Sequence, residues 1–296
     1  MAGGSNAVEA ILFVNLCKEN AAAASARIRE ELEKLGTKVT VFSFEGKPGS
    51  PPEGRRDVAF SLGGDGTVLY AARTLAASGT PILPVQLGTF GFISSVGLAE
   101  WADVYRSWLA GKAILSPRCM FEIMVERGGD FVYRNTCLND AVVSSMGIAK
   151  LIRLGVRLET SPGRFADLGR YRADGLVVAT PTGSTAYSMA AGGPIVDPEM
   201  EARIVSPICP FSLANRPLVL PARQPLHLSL ERQERSDVLL TVDGQDSFPL
   251  QAGDTVTVCH LPHKTLLVTS GYATYHRALR EKLSWQGDAP GRNADA

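Results

Sequence analysis

The chain has 296 residues, 45% of them hydrophobic, with 30 basic and 30 acidic residues and a formal net charge of zero at pH 7. This length accommodates two globular domains with sizeable cores. The balanced charge argues against a broad nucleic-acid-binding surface and leaves room for a local anion site.

The sequence also indicates the compartment. No stretch approaches 18 uninterrupted apolar residues, and the N-terminus lacks the basic and apolar regions of a signal peptide. We therefore expect no membrane association. Five scattered cysteines without a CxxC pair predict free thiols in a reducing compartment, the cytoplasm.

Strands and helices alternate over the first third of the chain. The apolar run 10–14 predicts a buried strand. A helix is predicted over 22–35, with Asn20 as its N-terminal cap and Gly36 at its end. Residues 38–44 alternate between apolar and polar types and predict a second strand.

The same alternation continues beyond residue 57. Apolar runs at 58–62 and 82–85 predict two more buried strands, and the spacing of apolar residues predicts a helix over 98–110. This order predicts an open, mostly parallel sheet in an α/β domain that covers residues 1–112.

The stretch 57–67, DVAFSLGGDGT, joins a predicted strand through a glycine-containing turn to a helix that the apolar spacing predicts from Val68 onward. Glycines at 63, 64 and 66 allow a ligand to approach the backbone closely, and the start of a helix offers N–H groups to a phosphate. A carboxylate beside a phosphate is repelled unless a metal or a proton transfer is involved. Asp65 is therefore the first candidate for chemistry.

This stretch has three other interpretations, namely an ordinary turn and two known phosphate-binding patterns. Asp and Gly are common in turns, so GGDG is also typical of an ordinary tight turn. It is not the dinucleotide-binding pattern GxGxxG, because Leu69 stands where the third glycine belongs. The Walker A pattern GxxxxGK[ST] occurs nowhere in the chain.

The pattern changes near residue 113. Short alternating segments predict strands over most of residues 113–272, and Gly128 and Gly129 predict a hairpin turn. We therefore predict an all-β, sandwich-like second domain over 113–272. Residues 273–296 predict a C-terminal helix and a polar tail.

Two stretches of this second domain differ from plain strands. One is Leu138-Asn139-Asp140. The other is 174–197, in which an apolar strand leads into the hydroxyl-containing segment 181–185 and then a short helix. Such a loop at a helix start is a suitable cradle for a nucleotide, although a loop capped by its own hydroxyl groups is the simpler interpretation.

Taken together, these motifs resemble the NAD kinase family. The matching blocks are GGDGT at 63–67, ND at 139–140, DGLVVATPTGSTAYSMAAGGPIV at 174–196, SPICPFSLANRPLVLP at 206–221 and DGQ at 243–245. They follow the family's order and spacing over roughly residues 10–280. The resemblance implies an α/β domain and a β-sandwich domain, with the C-terminal segment returning to the first.

The resemblance also implies roles for individual residues. Asp65 would accept the proton of the 2′-hydroxyl on the adenosine ribose of NAD, and Asp174 would accept a hydrogen bond from the nicotinamide carboxamide. The remaining positions implied to contact NAD are Gly66, Asn139, Asp140, Lys150, Arg172, Thr185, Ala186, Tyr187, Ser188 and Gln245. The phosphate loop would comprise Gly63, Gly64 and Thr67.

The chain departs from the family pattern at three positions. Gln86 stands where Asn is usual, Phe90 where Leu is usual, and Asp140 where Glu is more frequent. Gln86 is one methylene longer than Asn, so local hydrogen bonds near the phosphates are expected to differ. None of these changes affects Asp65.

The implied reaction is phosphoryl transfer from ATP to NAD, with Mg²⁺ or another divalent cation carried mostly by the triphosphate. His260 and His263 form an HxxH pair without a third ligand motif, so we predict no metal site built from protein side chains. The resemblance further implies a homo-oligomer, either a dimer or a tetramer.

Two alternatives stay open at this point. The GGDG loop also occurs in lipid and sugar kinases, so the first alternative is a kinase whose acceptor substrate is a lipid or a sugar. The second alternative is a nucleotide-binding sensor without turnover, and the intact Asp65 argues against it.

Overall fold

The computed structural model describes residues 7–88, 91–147, 150–231, 237–269 and 271–283. The chain divides into two compact units. The first comprises residues 1–71, 80–116 and 267–296, and the second comprises 72–79 and 117–266.

Strands make up most of the regular structure. In chain order, the described residues form β1 Glu9–Asn15, β2 Lys38–Phe44, β3 Val58–Gly63, β4 Ile82–Gln86, β5 Val96–Gly97, β6 Ile114–Arg118, β7 Phe121–Arg127, β8 Asp130–Cys137, β9 Asp140–Ser145, β10 Ile152–Ser161, β11 Arg164–Ala173, β12 Gly175–Ala179, β13 Ala202–Ile208, β14 Leu218–Pro221, β15 Leu226–Leu230, β16 Val238–Val242, β17 Asp246–Leu250, β18 Thr255–His260 and β19 Thr265–Thr269.

Helices are fewer than strands among the described residues. They are α1 Ala21–Lys34, α2 Asp65–Leu75, α3 Trp101–Leu109, α4 Tyr187–Ala190 and α5 Tyr272–Lys282, with a 3₁₀ turn at Thr182–Thr185. Within the described part of the chain, no helix is long and apolar enough to cross a membrane.

The first unit is built on a sheet with strand order β2-β1-β3-β4-β19-β6, and β5 pairs with β4. The pairs β1–β2, β1–β3, β3–β4 and β4–β19 are all parallel. β3 is buried along its whole length, as expected for an apolar strand in the middle of a parallel sheet. The predicted open, mostly parallel α/β sheet is confirmed.

Two predicted helix boundaries need correction. α1 begins at Ala21, but the Asn20 side chain makes no capping hydrogen bond, because its backbone adopts the left-handed conformation with φ 60°. α3 begins at Trp101 rather than residue 98, because residues 98–100 form a turn after the short strand β5. Gly36, with φ 81°, ends α1 as predicted.

The second unit is a sandwich of two antiparallel sheets. One has the order β11-β10-β15-β18-β7-β8, and the other has the order β14-β13-β12-β9-β16-β17. Alternate residues of both sheets point inward and form one continuous apolar core that includes Val125, Val143, Val178, Leu228 and Leu240. The predicted sandwich is confirmed.

Candidate active site

The glycine turn joins β3 directly to α2. α2 begins at Asp65, three residues earlier than the apolar spacing predicts, so Asp65 lies in the first helical turn. A Cβ on Gly63 would lie 2.2 Å from Thr67 Oγ1, so only glycine lets the strand end pack against this turn. Thr67 is 2% exposed and therefore supports the turn from inside.

The carboxylate of Asp65 is held by the segment that follows β4. Oδ1 accepts hydrogen bonds from the backbone N–H groups of Ile93 (3.2 Å) and Ser94 (2.8 Å) and from the Ser94 hydroxyl (2.6 Å). Oδ2 accepts one from the backbone N–H of Phe92 (3.0 Å). Four donors fix the carboxylate in one orientation, as a reacting group requires.

The close approach of this segment depends on Gly91. A Cβ at that position would lie 1.9 Å from Asp65 Oδ1. The Ser94 hydroxyl also contacts the side-chain amide of Gln86, which is 9% exposed. Gln86 thus supports the residue that holds Asp65, so the expectation that this departure does not affect Asp65 is wrong. Phe90, the other departure in this segment, lies outside the described residues.

A second polar arrangement lies in the sandwich unit, where β9 begins. The buried carboxylate of Asp243 accepts hydrogen bonds from three consecutive backbone N–H groups, those of Leu138 (3.1 Å), Asn139 (2.8 Å) and Asp140 (3.2 Å). Asp243 has φ 51° and Gly244 φ 64° in the tight turn between β16 and β17. This turn therefore sets the backbone position of the Asn139-Asp140 pair.

Burial and a neighbouring acid alter the titration of Asp140. The residue is 4% exposed, and burial together with the Asp243 charge raises the pKa of Asp140 to about 7. Burial raises the pKa of Asp243 to about 6, against the effect of its backbone hydrogen bonds and of Arg73. The charge of Asp243 is better stabilised than that of Asp140, because three N–H groups and the Arg73 guanidinium at 3.9 Å face it.

The hydroxyl-containing loop packs against the same backbone. Thr180 donates from its backbone N–H to Asn139 O (2.8 Å) and from its hydroxyl to Leu138 O (2.5 Å). A Cβ on Gly183 would lie 2.1 Å from Asn139 O, so the 3₁₀ turn needs glycine there. The backbone N–H of Tyr187 lies near the Asp140 carboxylate and lowers its pKa, against the larger effects of burial and of Asp243.

Between these elements lies a cavity of about 360 Å³, a size usual for small-ligand sites. It is lined by Asn139, Asp140, Val142, Ser144, Ala186, Tyr187, Thr241, Asp243 and Gly244. The Oδ1 atom of Asn139 is buried and has no partner among the described residues, so it is available to accept from a ligand.

Four neighbouring loop residues, 185–188, are predicted to contact NAD, but the structure places their side chains in two different environments. Ala186 and Tyr187 line the cavity. The Thr185 hydroxyl donates to Thr182 O (3.3 Å), and the Ser188 hydroxyl is bonded to that of Ser206 (3.0 Å). Thr185 and Ser188 therefore shape the loop from inside.

Three other predicted residues lie away from the cavity, near the end of β12 that is opposite Asp140. Asp174 lies just beyond the Gly175–Ser144 pair, whereas Asp140 pairs with Ala179 at the opposite end of β12. Ala179, the partner of Asp140, is five extended residues beyond Asp174, which corresponds to about 17 Å at roughly 3.3 Å per residue. Arg172 lies at the Asp174 end with its guanidinium 4.6 Å from the Phe211 ring centre, and Lys150 packs against Gly147.

Gln245 belongs to the cavity end. Its backbone N–H donates to Val242 O (3.0 Å), and its side-chain oxygen accepts from Arg73 (2.6 Å). The same Arg73 faces Asp243, with Nε 3.9 Å from Oδ2. Sequence reasoning missed Asp243 and Arg73. The DGQ block at 243–245 contains Asp243, but the family resemblance implied a role only for Gln245.

These features define a two-unit nucleotide-binding protein, with a carboxylate fixed beside a glycine turn in one unit and a polar cavity in the other. The family model of the ATP-NAD kinase N-terminal domain matches residues 51–113, and that of the C-terminal domain matches 138–270. Together the two models cover more than half of the chain. The chain belongs to the NAD kinase family.

Relatives of known name agree with this assignment. The chain is 38% identical over 280 residues to the NAD kinase of Treponema denticola, covering 94% of this chain and 97% of the relative. It is 41% identical over 234 residues to the NAD kinase of Geobacter sulfurreducens, covering 77% and 78%.

Solved structures share the fold. Yeast NADH kinase, crystallised with NADH, matches with a TM-score of 0.82 at 25% identity, over 96% of this chain and 90% of that one. An NAD kinase from Archaeoglobus fulgidus in complex with ATP matches in fold with a TM-score of 0.71 at 23% identity, over 93% and 98%.

Proposed function

We propose that this chain transfers the γ-phosphoryl group of ATP to the 2′-hydroxyl of the adenosine ribose of NAD, giving NADP and ADP. The observation that carries the proposal is the fixed carboxylate of Asp65, at the start of α2 directly after the glycine turn. Four hydrogen-bond donors hold this carboxylate. Its fixed position supports a chemical role for Asp65 in addition to the evidence from family membership.

Asp65 is proposed to accept the proton of the ribose hydroxyl as that oxygen attacks the phosphorus atom. Among the described residues Oδ1 accepts three hydrogen bonds and Oδ2 accepts one, so Oδ2 has more acceptor capacity left for the substrate. A positioned carboxylate base contributes about 10²–10⁴-fold to such a step. Gly63, Gly64 and Gly66 are proposed to leave room for the phosphates near the start of the helix.

The sandwich cavity is proposed to bind the adenosine part of NAD. Asp140 would accept hydrogen bonds from ribose hydroxyls, and the free Oδ1 of Asn139 would accept from an N–H group of the ligand. Ala186 and Tyr187 would form the apolar wall, with Tyr187 48% exposed and available to contact a ring.

A divalent cation, Mg²⁺ in the first instance, is proposed to arrive with ATP. Mg²⁺ usually keeps several waters and binds through one or two carboxylates together with substrate phosphates. This mode suits the described residues, in which no three His, Cys, Asp or Glu side chains are grouped as metal ligands, and Asp65 is the carboxylate at the glycine turn. When bound, the ion would neutralise charge on the transferring phosphoryl group.

We also propose a homo-oligomer in which two subunits complete each NAD site. Arg172 and Asp174 come just before β12, at the opposite end of that strand from Asp140, so one chain does not bring all the predicted NAD contacts together. Exposed apolar side chains surround that distant end, with Phe211 68%, Leu213 85% and Met146 65% exposed. Such a patch is typical of a subunit contact.

The alternatives fit less well. A lipid or sugar kinase would share the GGDG turn but not the match to the NAD kinase C-terminal domain over residues 138–270. A sensor without turnover would not need a carboxylate held by four donors at the glycine turn. The free thiols at Cys17 and Cys209 are exposed, which supports a reducing, cytoplasmic location.

The proposed function is tested by incubating the purified protein with ATP, Mg²⁺ and NAD and measuring NADP with an NADP-specific dehydrogenase. NADP formation is expected. Phosphorylation of diacylglycerol but not of NAD would favour the lipid-kinase alternative, and nucleotide binding without any product would favour the sensor.

A further inference from the structure

The turn after β1 lies beside the glycine turn. β1 and β3 are adjacent and parallel, with Val14 level with Leu62, so the turns that follow them leave the sheet at the same edge. The Asn15 side chain accepts from the backbone N–H of Cys17 (3.0 Å), and Asn15 O accepts from that of Lys18 (3.1 Å). These two bonds fix the backbone of the turn before α1 begins.

This turn places the Lys18 side chain over the glycine turn. Lys18 Cε lies 4.0 Å from the position that a Cβ on Gly64 would take, and no other atom outside the chain neighbours comes within that distance. Lys18 is exposed, and in the part of the chain that the structure describes no carboxylate lies within ion-pair distance of its ammonium group.

The glycine turn lacks a cation of its own. Residues 58–72 contain no Lys or Arg, whereas Asp65 contributes a negative charge. Backbone N–H groups at the start of α2 supply only partial positive charge. A phosphate bound beside Asp65 therefore needs a further positive charge, and Lys18 is positioned to supply it.

We propose that Lys18 binds a phosphate group of a nucleotide substrate above Gly64, in the manner of the lysine of a phosphate-binding loop but from a different turn. This inference rests on the proposed kinase function. The phosphate belongs either to the triphosphate of ATP or to the pyrophosphate of NAD, because both are anions of the same chemistry. Apart from Lys18 Cε, no atom outside the chain neighbours lies within 4 Å of a Cβ on Gly64, so a phosphate would have room beside this residue.

The test uses the full chain with Lys18 replaced by Met, which keeps length and removes the charge, and by Arg, which keeps the charge. The matched control is Lys112→Met, because Lys112 is an exposed lysine of the same unit, in the turn after α3. Dissociation constants are measured by calorimetry for Mg-ATP, for NAD and for adenosine, which has no phosphate. Melting temperatures check folding.

Lys18→Met is expected to weaken the binding of at least one phosphate-bearing substrate by about 10-fold or more, as expected for the loss of a charge-assisted contact. Adenosine binding should not change, and Lys18→Arg should restore much of the affinity. Weaker binding of ATP assigns the contact to the donor, and weaker binding of NAD assigns it to the pyrophosphate.

Unchanged affinity for both substrates in a folded Lys18→Met protein would overturn the inference. An equal effect of Lys112→Met would also overturn it, because a general change of surface charge would then explain the loss. Failure of the proposed function is a separate result, since the wild-type protein would then form no NADP.

Discussion

The carboxylate of Asp243 accepts a hydrogen bond from the backbone N–H of Asn139 at 2.8 Å, although the two residues are 104 positions apart in the chain. Asp243 and its turn thus position the Asn139-Asp140 pair in the cavity. Asp243 also lines the cavity, next to Gly244. A residue at the tip of one hairpin therefore controls the proposed binding site on another strand.

Asp243→Asn is expected to weaken NAD binding and to lower stability. Asn tolerates the left-handed backbone and keeps one acceptor, but its NH₂ group would face backbone donors. The loss of a buried acceptor corresponds to roughly 1–3 kcal/mol in the free energy of unfolding. Thermal melting and NAD calorimetry measure the two effects.

The matched control is Asp246→Asn in the same hairpin. Asp246 accepts from Tyr133 (3.0 Å) and Asn135 (2.8 Å), neither of which lines the cavity. This variant should keep wild-type NAD affinity. An NAD affinity in Asp243→Asn that equals that of the control would show that the turn does not position the site.

Asp140→Asn is expected to change how stability depends on pH. The pKa of Asp140 is raised to about 7 from the ordinary value of 3.8, so between these values the folded protein binds more protons than the unfolded chain. The contribution of Asp140 to the free energy of unfolding therefore falls as pH rises towards 7. Asn mimics the protonated acid and does not titrate.

The stability of Asp140→Asn relative to wild type should therefore rise from pH 5 to pH 8. Each pKa unit corresponds to about 1.4 kcal/mol, which sets the upper limit of the change in the free energy of unfolding per pH unit. Melting temperatures of both proteins at the two pH values measure it, with the exposed Asp130→Asn as control. Parallel pH profiles for wild type and Asp140→Asn would contradict the assigned burial.

Gly91→Ala is expected to abolish most turnover without altering any proposed reacting group. A Cβ at Gly91 would lie 1.9 Å from Asp65 Oδ1, so the carboxylate or the segment that holds it must move. Gly49→Ala is the control, because no atom lies within 4 Å of a Cβ there. A kcat for Gly91→Ala equal to that of Gly49→Ala would refute the required position of Asp65.

The fold and the glycine turn could be predicted because their signals are local. A continuous apolar run produces a buried parallel strand at β3, and glycines adjoin it in sequence. The start of α2 could not be placed, because apolar spacing does not detect a first turn made of Asp65, Gly66 and Thr67. In this first turn Thr67 packs closely on Gly63, a contact that apolar spacing does not reveal.

The long-range parts of the site were not predictable. The groups that hold Asp65 are backbone N–H groups 27–29 residues away, which no side-chain pattern reveals. The separation of Asp174 from Asp140 depends on strand register. Asp174 and Tyr187 belong to one sequence block, but β12 carries the chain from one end of the sheet to the other between them.

A subunit-mixing experiment tests the proposed shared site. Asp65→Asn and Asp174→Ala are each expected to be nearly inactive alone. If Asp174 serves the site of a partner subunit, a mixed oligomer contains some sites in which both residues are intact. Activity should therefore return when the two variants are unfolded and refolded together.

The control mixes refolded samples of the same variant, which should stay inactive. Light scattering on the wild type gives the number of subunits. No recovery of activity in a mixed oligomer, or a fully active monomer, would contradict the shared site.

The most direct test of the central claim is the turnover of Asp65→Asn with saturating ATP, Mg²⁺ and NAD. Asn keeps the size of the side chain and can accept from Ser94, but it cannot take the ribose proton at neutral pH. We expect a loss of about 10²-fold or more in kcat, with dissociation constants for both substrates near those of wild type. Near-normal NADP formation by a folded Asp65→Asn protein would show that the GGDG segment is an ordinary turn and that its carboxylate is not the base.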